Sequence, residues 1–227
     1  MPETHRPWLD RSIILDAAIE ISRSGDQPAK PVTGATLGSR LGVDRSALWR
    51  HFADKQDLLN ALNDRLLLPI VEEAASATDP VARLSTVFRC FIDVYTRHPL
   101  LAQELLGTSP LGENWRRLAE VVVTALGDYG LSAPASAGYF RLFIEVTTSY
   151  ATSLAASENR PAAKRERETA AAQLDLMNID AERFPHLAET APHLWATTET
   201  QIAEGVFRSL TATLESSLSP RQDPTSR

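Results

Sequence analysis

Residues 33–52 read TGATLGSRLGVDRSALWRHF, and this stretch decides the fold of the N-terminal part of the chain. The Thr33 hydroxyl can accept a hydrogen bond from a backbone N–H of the first turn, so Thr33 predicts the start of a short helix. Gly42 ends that helix, because glycine readily adopts the positive φ that a tight turn needs. Asp44 then predicts the start of a second helix. We therefore predict two short helices that are joined by a glycine turn.

The apolar residues of this stretch fall on one side of each predicted helix. Leu37 and Leu41 lie one turn apart in the first helix. Leu48 and Phe52 lie one turn apart in the second, which we expect to extend to Phe52. Two helices cannot bury such a face alone, so a third helix is required. Residues 10–24 supply it, since their apolar residues recur at steps of three and four.

The second helix carries a polar, aromatic and basic outer face. That face comprises Arg45, Ser46, Ala47, Trp49, Arg50 and His51. Arginine can bind guanine through two hydrogen bonds, serine can bond a base or a phosphate, and alanine can touch a thymine methyl group. His51 and Lys55 can reach phosphates beside the groove. The stretch therefore predicts a helix-turn-helix that binds DNA.

Several of these residues also have a simpler explanation. Trp49 can belong to the hydrophobic core, although its neighbour Leu48 already takes the inward position, and one helix cannot bury both equally. If Arg45 and Arg50 stood outside any motif, they would be read as ordinary solvent-exposed residues. Because they lie within a helix-turn-helix pattern, a DNA contact is favoured. His51 fits a phosphate contact better than a metal site, because no second ligand stands at a suitable spacing. We predict no metal and no cofactor.

The pattern resembles the TetR family of transcriptional repressors. The resemblance covers residues 10–62 and rests on the runs ILDAAIEI, VTGATLGSRLGV and DRSALWRHFADKQDLLNAL. It implies a homodimer that binds double-stranded, pseudo-palindromic operator DNA and releases it when an unknown small-molecule inducer enters the C-terminal domain. It also implies DNA contacts for Thr33, Arg45, Ser46, Trp49, Arg50, His51 and Lys55.

The remainder of the chain predicts further helices, since strand-like alternation is missing and helix-forming residues abound. The predicted helices span 54–76, 80–97, 99–106, 112–129, 134–156, 162–177 and 194–218. The expected fold class is all-α, with an N-terminal three-helix helix-turn-helix domain and a larger C-terminal helical domain for ligand binding and dimerisation. The expected domains are residues 1–62 and 63–218, and residues 219–227 are expected to form a disordered tail.

The C-terminal domain contains aromatic residues at helical spacing. Such residues are more often core than pocket, but some should line a cavity if a ligand binds. The candidate ligand-binding residues are Phe88, Phe91, Tyr95, His98, Trp115, Phe143 and Thr147. Further polar candidates are Cys90, Arg141, Glu145 and Thr148. Helices 134–156 and 194–218 carry many small residues and are the candidates for a dimer interface.

Composition restricts the cellular context and leaves DNA binding open. The chain has 227 residues, a formal net charge of −6 and one cysteine, Cys90. Residues 1–65 hold nine basic and nine acidic residues, so the acidic surplus lies in the rest of the chain. A neutral module permits phosphate contacts without demanding them. The lone cysteine and the lack of a bilayer-length apolar stretch favour a cytoplasmic protein with no membrane partner.

Two other classes of function remain open at this point. One is a helical enzyme or small-molecule-binding protein with no DNA role. The sequence has no G-x-S-x-G, P-loop, G-x-G-x-x-G or H-E-x-x-H motif, so we predict no enzyme. The other is a helical protein-interaction module, which the neutral charge of residues 1–65 permits. Salt-sensitive DNA binding would distinguish the predicted repressor from both.

Overall fold

The computed structural model describes residues 9–25, 29–106, 108 and 110–218, with side chains described as far as residue 215. These residues form α-helices and one short 3₁₀ helix and no strand, so the described fold is all-α, as predicted. The helices are α1 Arg11–Ser22, α2 Gly34–Leu41, α3 Arg45–Leu48, α4 Lys55–Ala75, α5 Pro80–Arg97, α6 Pro99–Leu105, α7 Glu113–Asp128, α8 Ala133–Glu158, α9 Ala162–Met177, α10 Pro185–Thr190 and α11 Glu199–Leu218. The predicted tail, residues 219–227, lies outside the described residues.

In the N-terminal module, α2 packs against α1 and α3, and α1 packs against α4, whose first leucines join the same apolar core. Its centre is apolar, and the largest side chains there are fully buried: Ile14, Leu37, Leu48, Phe52 and Leu62. Leu41, which was expected beside Leu37, is half-buried. The module therefore has the three-helix core that the apolar spacing predicts, and it uses α4 to close that core.

Aspartate side chains cap the starts of four helices, and three of these helices are α1, α4 and α5. Asp10 accepts a hydrogen bond from the Ile13 N–H at 2.8 Å at the start of α1. Asp54 caps α4, and Asp79 caps α5, where Pro80 occupies the first turn. These caps satisfy N–H groups that have no partner within a helix. A helix that begins at a capping side chain can follow the preceding helix after a short connection.

The C-terminal body is built around α4, α5, α7 and α8. Helix α5 packs against both α4 and α8, and its buried face includes Leu84, Val87 and Phe91. Helix α4 continues without a break through residues 62 and 63, so the two expected domains share one helix. The N-terminal module is thereby joined to the C-terminal body through a continuous helix rather than through a loop.

Helix α11 packs against α5 and α8. The Tyr139 hydroxyl of α8 donates a hydrogen bond to the Leu210 carbonyl of α11 at 2.9 Å. The predicted helix 194–218 begins too early, because α11 starts at Glu199. The actual start is fixed by Thr198 and Gln201, whose side chains each accept the other's backbone N–H.

The segment between α8 and α11 is largely exposed. Helix α9 has no buried residue, and the short helix α10, which the sequence did not predict, has none either. Large apolar side chains lie open on this segment: Leu174, Met177, Phe184, Leu187, Leu194 and Trp195. Among the described residues, no helix combines the length and apolarity needed to span a bilayer.

A buried polar contact joins the N-terminal module to the body. His98, between α5 and α6, shares a 2.9 Å hydrogen bond with the Ser22 hydroxyl of α1. The Ser22 hydroxyl also donates to the Ile19 carbonyl at 2.9 Å, so the His98 ring must be the donor in the shared bond. Burial, together with the charges of Arg23 and Arg97, lowers the pKa of His98 to about 4. The ring is therefore neutral at pH 7.

This contact predicts a loss of stability in mild acid. The unfolded chain takes up a proton on His98 near the ordinary histidine pKa of 6.5, whereas the folded chain resists protonation until about pH 4. The free energy of unfolding should therefore fall by about 3 kcal/mol between those pH values, and be undiminished above them. Urea midpoints at pH 7 and pH 5 should show about 2 kcal/mol of this loss. His98→Gln should lose most of the pH dependence, and an unchanged slope in that variant would contradict the assignment.

Candidate nucleic-acid interface and cavity

The turn between α2 and α3 depends on two glycines. Gly42 has φ 65° and ψ 33°, the left-handed conformation that a side chain disfavours. At Gly38, an added Cβ would lie 2.9 Å from the Val43 carbonyl oxygen. The Val43 N–H donates to the Gly38 carbonyl at 3.0 Å, which closes the turn. The predicted glycine turn is confirmed, and Gly38 permits its close approach.

Helix α3 is shorter than the sequence predicted. It is α-helical only from Arg45 to Leu48, and residues 49–51 form a turn in which the His51 N–H donates to the Leu48 carbonyl at 3.0 Å. The predicted extension to Phe52 is therefore wrong. The reason is that Phe52 must enter the core while the chain turns toward α4. Asp44 caps α3, as expected, through the Ser46 N–H at 2.7 Å, and hydrogen bonds with Ser46 lower the pKa of Asp44.

The side chains of α3 and its following turn form the surface that we call the α3 face. It comprises Arg45, Ser46, Ala47, Trp49, Arg50 and His51. Arg45, Ser46 and Arg50 are exposed, whereas the other three are half-buried. No described residue forms an ion pair with Arg45 or Arg50. The α3 face thus presents two guanidinium groups that are available to phosphate or base edges.

Trp49 lies at the border between the α3 face and the core. Its ring packs beside Gly34, where an added Cβ would lie 3.5 Å from the ring and 2.7 Å from the Arg45 side chain. The missing side chain of Gly34 therefore leaves room for both residues. Thr33, which precedes it, is exposed, and its hydroxyl accepts the Thr36 N–H at 3.1 Å as the cap of α2.

Arg11 anchors α1 to the end of the α3 face, and sequence analysis missed it. Its guanidinium donates to the His51 carbonyl at 2.6 Å and to the Asp57 carboxylate at 3.0 Å. It also lies 4.2 Å from the centre of the Phe52 ring. Hydrogen bonds from Arg11 and from the Ala53 N–H lower the pKa of Asp57. No local pattern reveals these contacts, because the partners are 40 or more residues away in the sequence.

Lys55, a predicted phosphate contact, already has a partner in the described structure. Its ammonium lies 3.0 Å from Glu104 Oε1 on α6. The second oxygen, Glu104 Oε2, is buried and has no hydrogen-bond partner. A phosphate contact by Lys55 would therefore compete with Glu104, and this links the candidate DNA surface to α6.

A cavity of about 290 Å³ lies in the C-terminal body. Its walls come from α4, α5, α6, α7 and α8, and from Leu106, Thr108 and Pro110 between α6 and α7. Phe91, Tyr95 and Trp115, three of the predicted ligand-binding residues, line it, as do the polar candidates Glu145 and Thr148. Asp64 of α4 accepts the Trp115 N–H at 3.0 Å and so fixes the start of α7 beside the cavity.

The other predicted ligand-binding residues lie outside this cavity lining. Phe88 packs on Tyr150 and Phe207, at ring-centre distances of 5.9 and 5.6 Å. Phe143 stacks on Tyr139 in the core. His98 is bound to Ser22, and Thr147 is fully buried elsewhere on α8. Helix periodicity could not separate these residues from the true lining, because all of them face inward.

Two buried polar residues of the cavity lining escaped the sequence analysis. Asn63 of α4 and Thr152 of α8 are 7% and 5% exposed, and Asn63 Oδ1 and Thr152 Oγ1 have no hydrogen-bond partner. Such orphan polar atoms are rare in folded proteins. A signal for Asn63 was present, since it interrupts the apolar positions of α4 next to Leu62. No group of three potential metal ligands occurs among the described residues.

The chain is similar to known regulators in sequence and in fold. A family model described as "Tetracyclin repressor-like, C-terminal domain" matches residues 76–211. Nucleoid occlusion factor SlmA of Shewanella amazonensis is 31% identical over 98 residues, which are 41% of this chain and 50% of that protein. The chain therefore spans about half the length of the curated relatives that it matches.

Two solved structures from Streptomyces coelicolor extend the comparison to most of the chain. A candidate transcriptional regulator from strain A3(2) is 27% identical, with a TM-score of 0.74 over 92% of this chain and 98% of that chain. The TetR family protein ActR in complex with actinorhodin is 19% identical, with a TM-score of 0.75 over 92% and 97%. The likeness to ActR shows a shared fold.

The glycine turn predicts that Gly38→Ala disrupts the α3 face. The added methyl group meets a backbone carbonyl, so the turn must shift, at a cost of about 1–3 kcal/mol. Thermal unfolding and DNA binding both report the change. Gly127→Ala on α7 is the control, because open space surrounds that position and alanine stabilises a helix by up to about 1 kcal/mol. Because Gly38 also lies within a helix, equal melting temperatures for the Gly38→Ala and Gly127→Ala variants would refute the packing argument.

The pairing of Lys55 with Glu104 predicts a gain of DNA affinity in Glu104→Gln. Loss of the carboxylate charge frees the Lys55 ammonium for one further phosphate contact. The slope of log affinity against log salt should then steepen by about one. Fluorescence anisotropy across a salt series measures that slope. Glu120→Gln, an exposed site on α7, removes the same charge elsewhere, and equal slopes for the two variants would exclude a phosphate role for Lys55.

Proposed function

Because the chain belongs to the TetR family of transcriptional regulators, we propose that it represses transcription by binding operator DNA and releases that DNA when a small molecule binds. The regions up to residue 62 and from residue 63 to 218 divide these tasks: the first contacts DNA, and the second binds the effector and dimerises. Dimerisation and effector binding are taken from the family and are proposed for this chain.

One observation carries the DNA role. Arg45, Ser46 and Arg50 are exposed on the α3 face, and neither arginine has an ion-pair partner among the described residues. A helix-turn-helix inserts its second helix into the major groove, where arginine reads guanine and serine bonds bases or phosphates. Trp49, Ala47 and His51 would flank these contacts, and Thr33 and Lys55 would reach the backbone on either side.

A second copy of the chain is required by the geometry of a pseudo-palindromic operator. Two α3 faces must meet successive major grooves about 34–36 Å apart. Helices α8 and α11 lie side by side on the body, and Leu142 and Ile202 remain exposed on them. Apolar exposure on adjacent helices supports a four-helix dimer interface there.

The cavity supports effector control. It is lined by α4, which begins at the candidate DNA surface, and by α6, whose Glu104 binds Lys55. A ligand that occupies the cavity can thus favour one placement of these helices over another, and a change in placement alters the separation of two α3 faces. The alternative function is a protein-interaction module that does not bind DNA.

Arg50→Ala should weaken operator binding by about tenfold to a hundredfold, since one good bidentate base contact discriminates by about 1–3 kcal/mol. The measurement is a gel shift with the promoter DNA beside the protein's own gene. Binding by the unchanged protein should also fall steeply with salt, and the retained complex should contain two chains.

Arg167→Ala on the exposed helix α9 is the matched control, because it removes the same charge far along the chain. It should bind the operator as the unchanged protein does. If the Arg50→Ala and Arg167→Ala variants retained the operator DNA equally, the proposed DNA contact of the α3 face would be wrong. Salt-insensitive retention would instead favour the protein-interaction alternative.

A further inference from the structure

We propose that the cavity takes an organic cation, an ammonium group on a compact aromatic or aliphatic body. This inference rests on the proposed function only in treating the cavity as the effector site. Its four supports are the charge of the lining, the aromatic rings, the two orphan oxygen atoms and the size of the space.

The lining carries one sign of charge. Glu145 of α8, which is exposed, is the charged side chain among the described lining residues, and no described residue forms an ion pair with it. Those described lining residues include no lysine, arginine or histidine. An anionic ligand would therefore meet an unfavourable potential, whereas a cation would gain a carboxylate partner.

The aromatic rings suit the same charge. Phe91 and Tyr95 of α5 and Trp115 of α7 converge on the cavity from two helices. The face of an aromatic ring is electron-rich and attracts ammonium groups, most strongly when water is excluded. Burial raises the pKa of Tyr95 to about 12, so its ring stays a neutral phenol. The three rings would hold both the apolar body and the charged end of a cation.

Two orphan oxygen atoms at the cavity wall can accept hydrogen bonds from a ligand. Asn63 Oδ1 and Thr152 Oγ1 are buried there without a hydrogen-bond partner. Asn63 Oδ1 can only accept, so a donor from the ligand would offset the cost of its burial, whereas the Thr152 hydroxyl can accept or donate. An ammonium group carries up to three N–H donors and no acceptor. It can therefore donate to Asn63 Oδ1 and to Thr152 Oγ1 at once.

The space sets the size of the ligand. A volume of about 290 Å³ lies at the small end of the range for small-molecule sites. It admits a body of one or two rings and excludes large polycyclic compounds. The proposed ligand class is thus a small aryl- or alkylammonium compound.

The test compares three probes that share one body: naphthylmethylammonium, naphthylmethanol and naphthoate. Isothermal titration calorimetry with the full chain at pH 7 measures each dissociation constant. The ammonium probe should bind at least about tenfold more tightly than naphthoate, with the alcohol between them. Equal or tighter binding of naphthoate, or no binding of the ammonium probe at millimolar concentration, overturns the proposal.

Two pairs of variants separate ligand contacts from structural effects. Glu145→Gln should weaken the ammonium probe about threefold, the range for an exposed charge pair, and leave the alcohol unchanged, whereas Glu166→Gln on α9 should change neither. Thr152→Val should weaken the ammonium probe by a few-fold. Thr147→Val is its matched control, because the Thr147 hydroxyl is also buried and unpartnered but lies outside the cavity lining. Equal affinities within each pair contradict the assigned contacts.

Operator binding is measured on the same preparations without probe. A chain that binds the operator and ignores the ammonium probe refutes the ligand class and leaves the proposed function standing. A chain that binds the ammonium probe and no operator supports the ligand class and refutes the proposed function. A chain that does both should release the operator as the ammonium probe saturates.

Discussion

One continuous helix constrains the rest of this molecule. Helix α4 begins at the Asp54 cap, beside the α3 face, and ends in the C-terminal core. Its first leucines close the N-terminal module, and its last residues pack against α5 and α7. Because both ends of α4 are packed, a displacement of the N-terminal module would strain the packing of the C-terminal core. The His98 contact with Ser22 adds a second tie between them.

The same helix links the two candidate sites. Lys55 stands at its N-terminal end, and Asn63 lies two turns later at the cavity wall. Helix α6 runs alongside, with Glu104 bound to Lys55 and Leu105 lining the cavity. In the proposed function, the residues that would contact a ligand and the residue that would contact DNA therefore lie on, or pair across, the same two packed helices. Coupling between the sites needs only a small set of alternative placements of these helices.

Local patterns predicted most of the helices and little of the cavity. The stretch 33–52 contains its own caps, its glycine turn and its inward leucines, so both helices of the motif were visible. It did not reveal that α3 ends at Leu48, because that end depends on where Phe52 enters a core shared with α1. For the ligand residues, inward position was predictable. The division of inward positions between core and cavity was not, since it depends on the fit of neighbouring helices.

By itself, the sequence determined the all-α class, the helix-turn-helix and its outward residues, because caps, glycines and periodicity act within a few residues of the chain. The tertiary structure alone decided that Arg11 anchors Asp57, that Glu104 holds Lys55, and that Asn63 and Thr152 are left without partners. Each of these depends on side chains that lie far apart in the sequence and meet only when helices pack. Packing geometry, unlike helix formation, is not a local property of the chain.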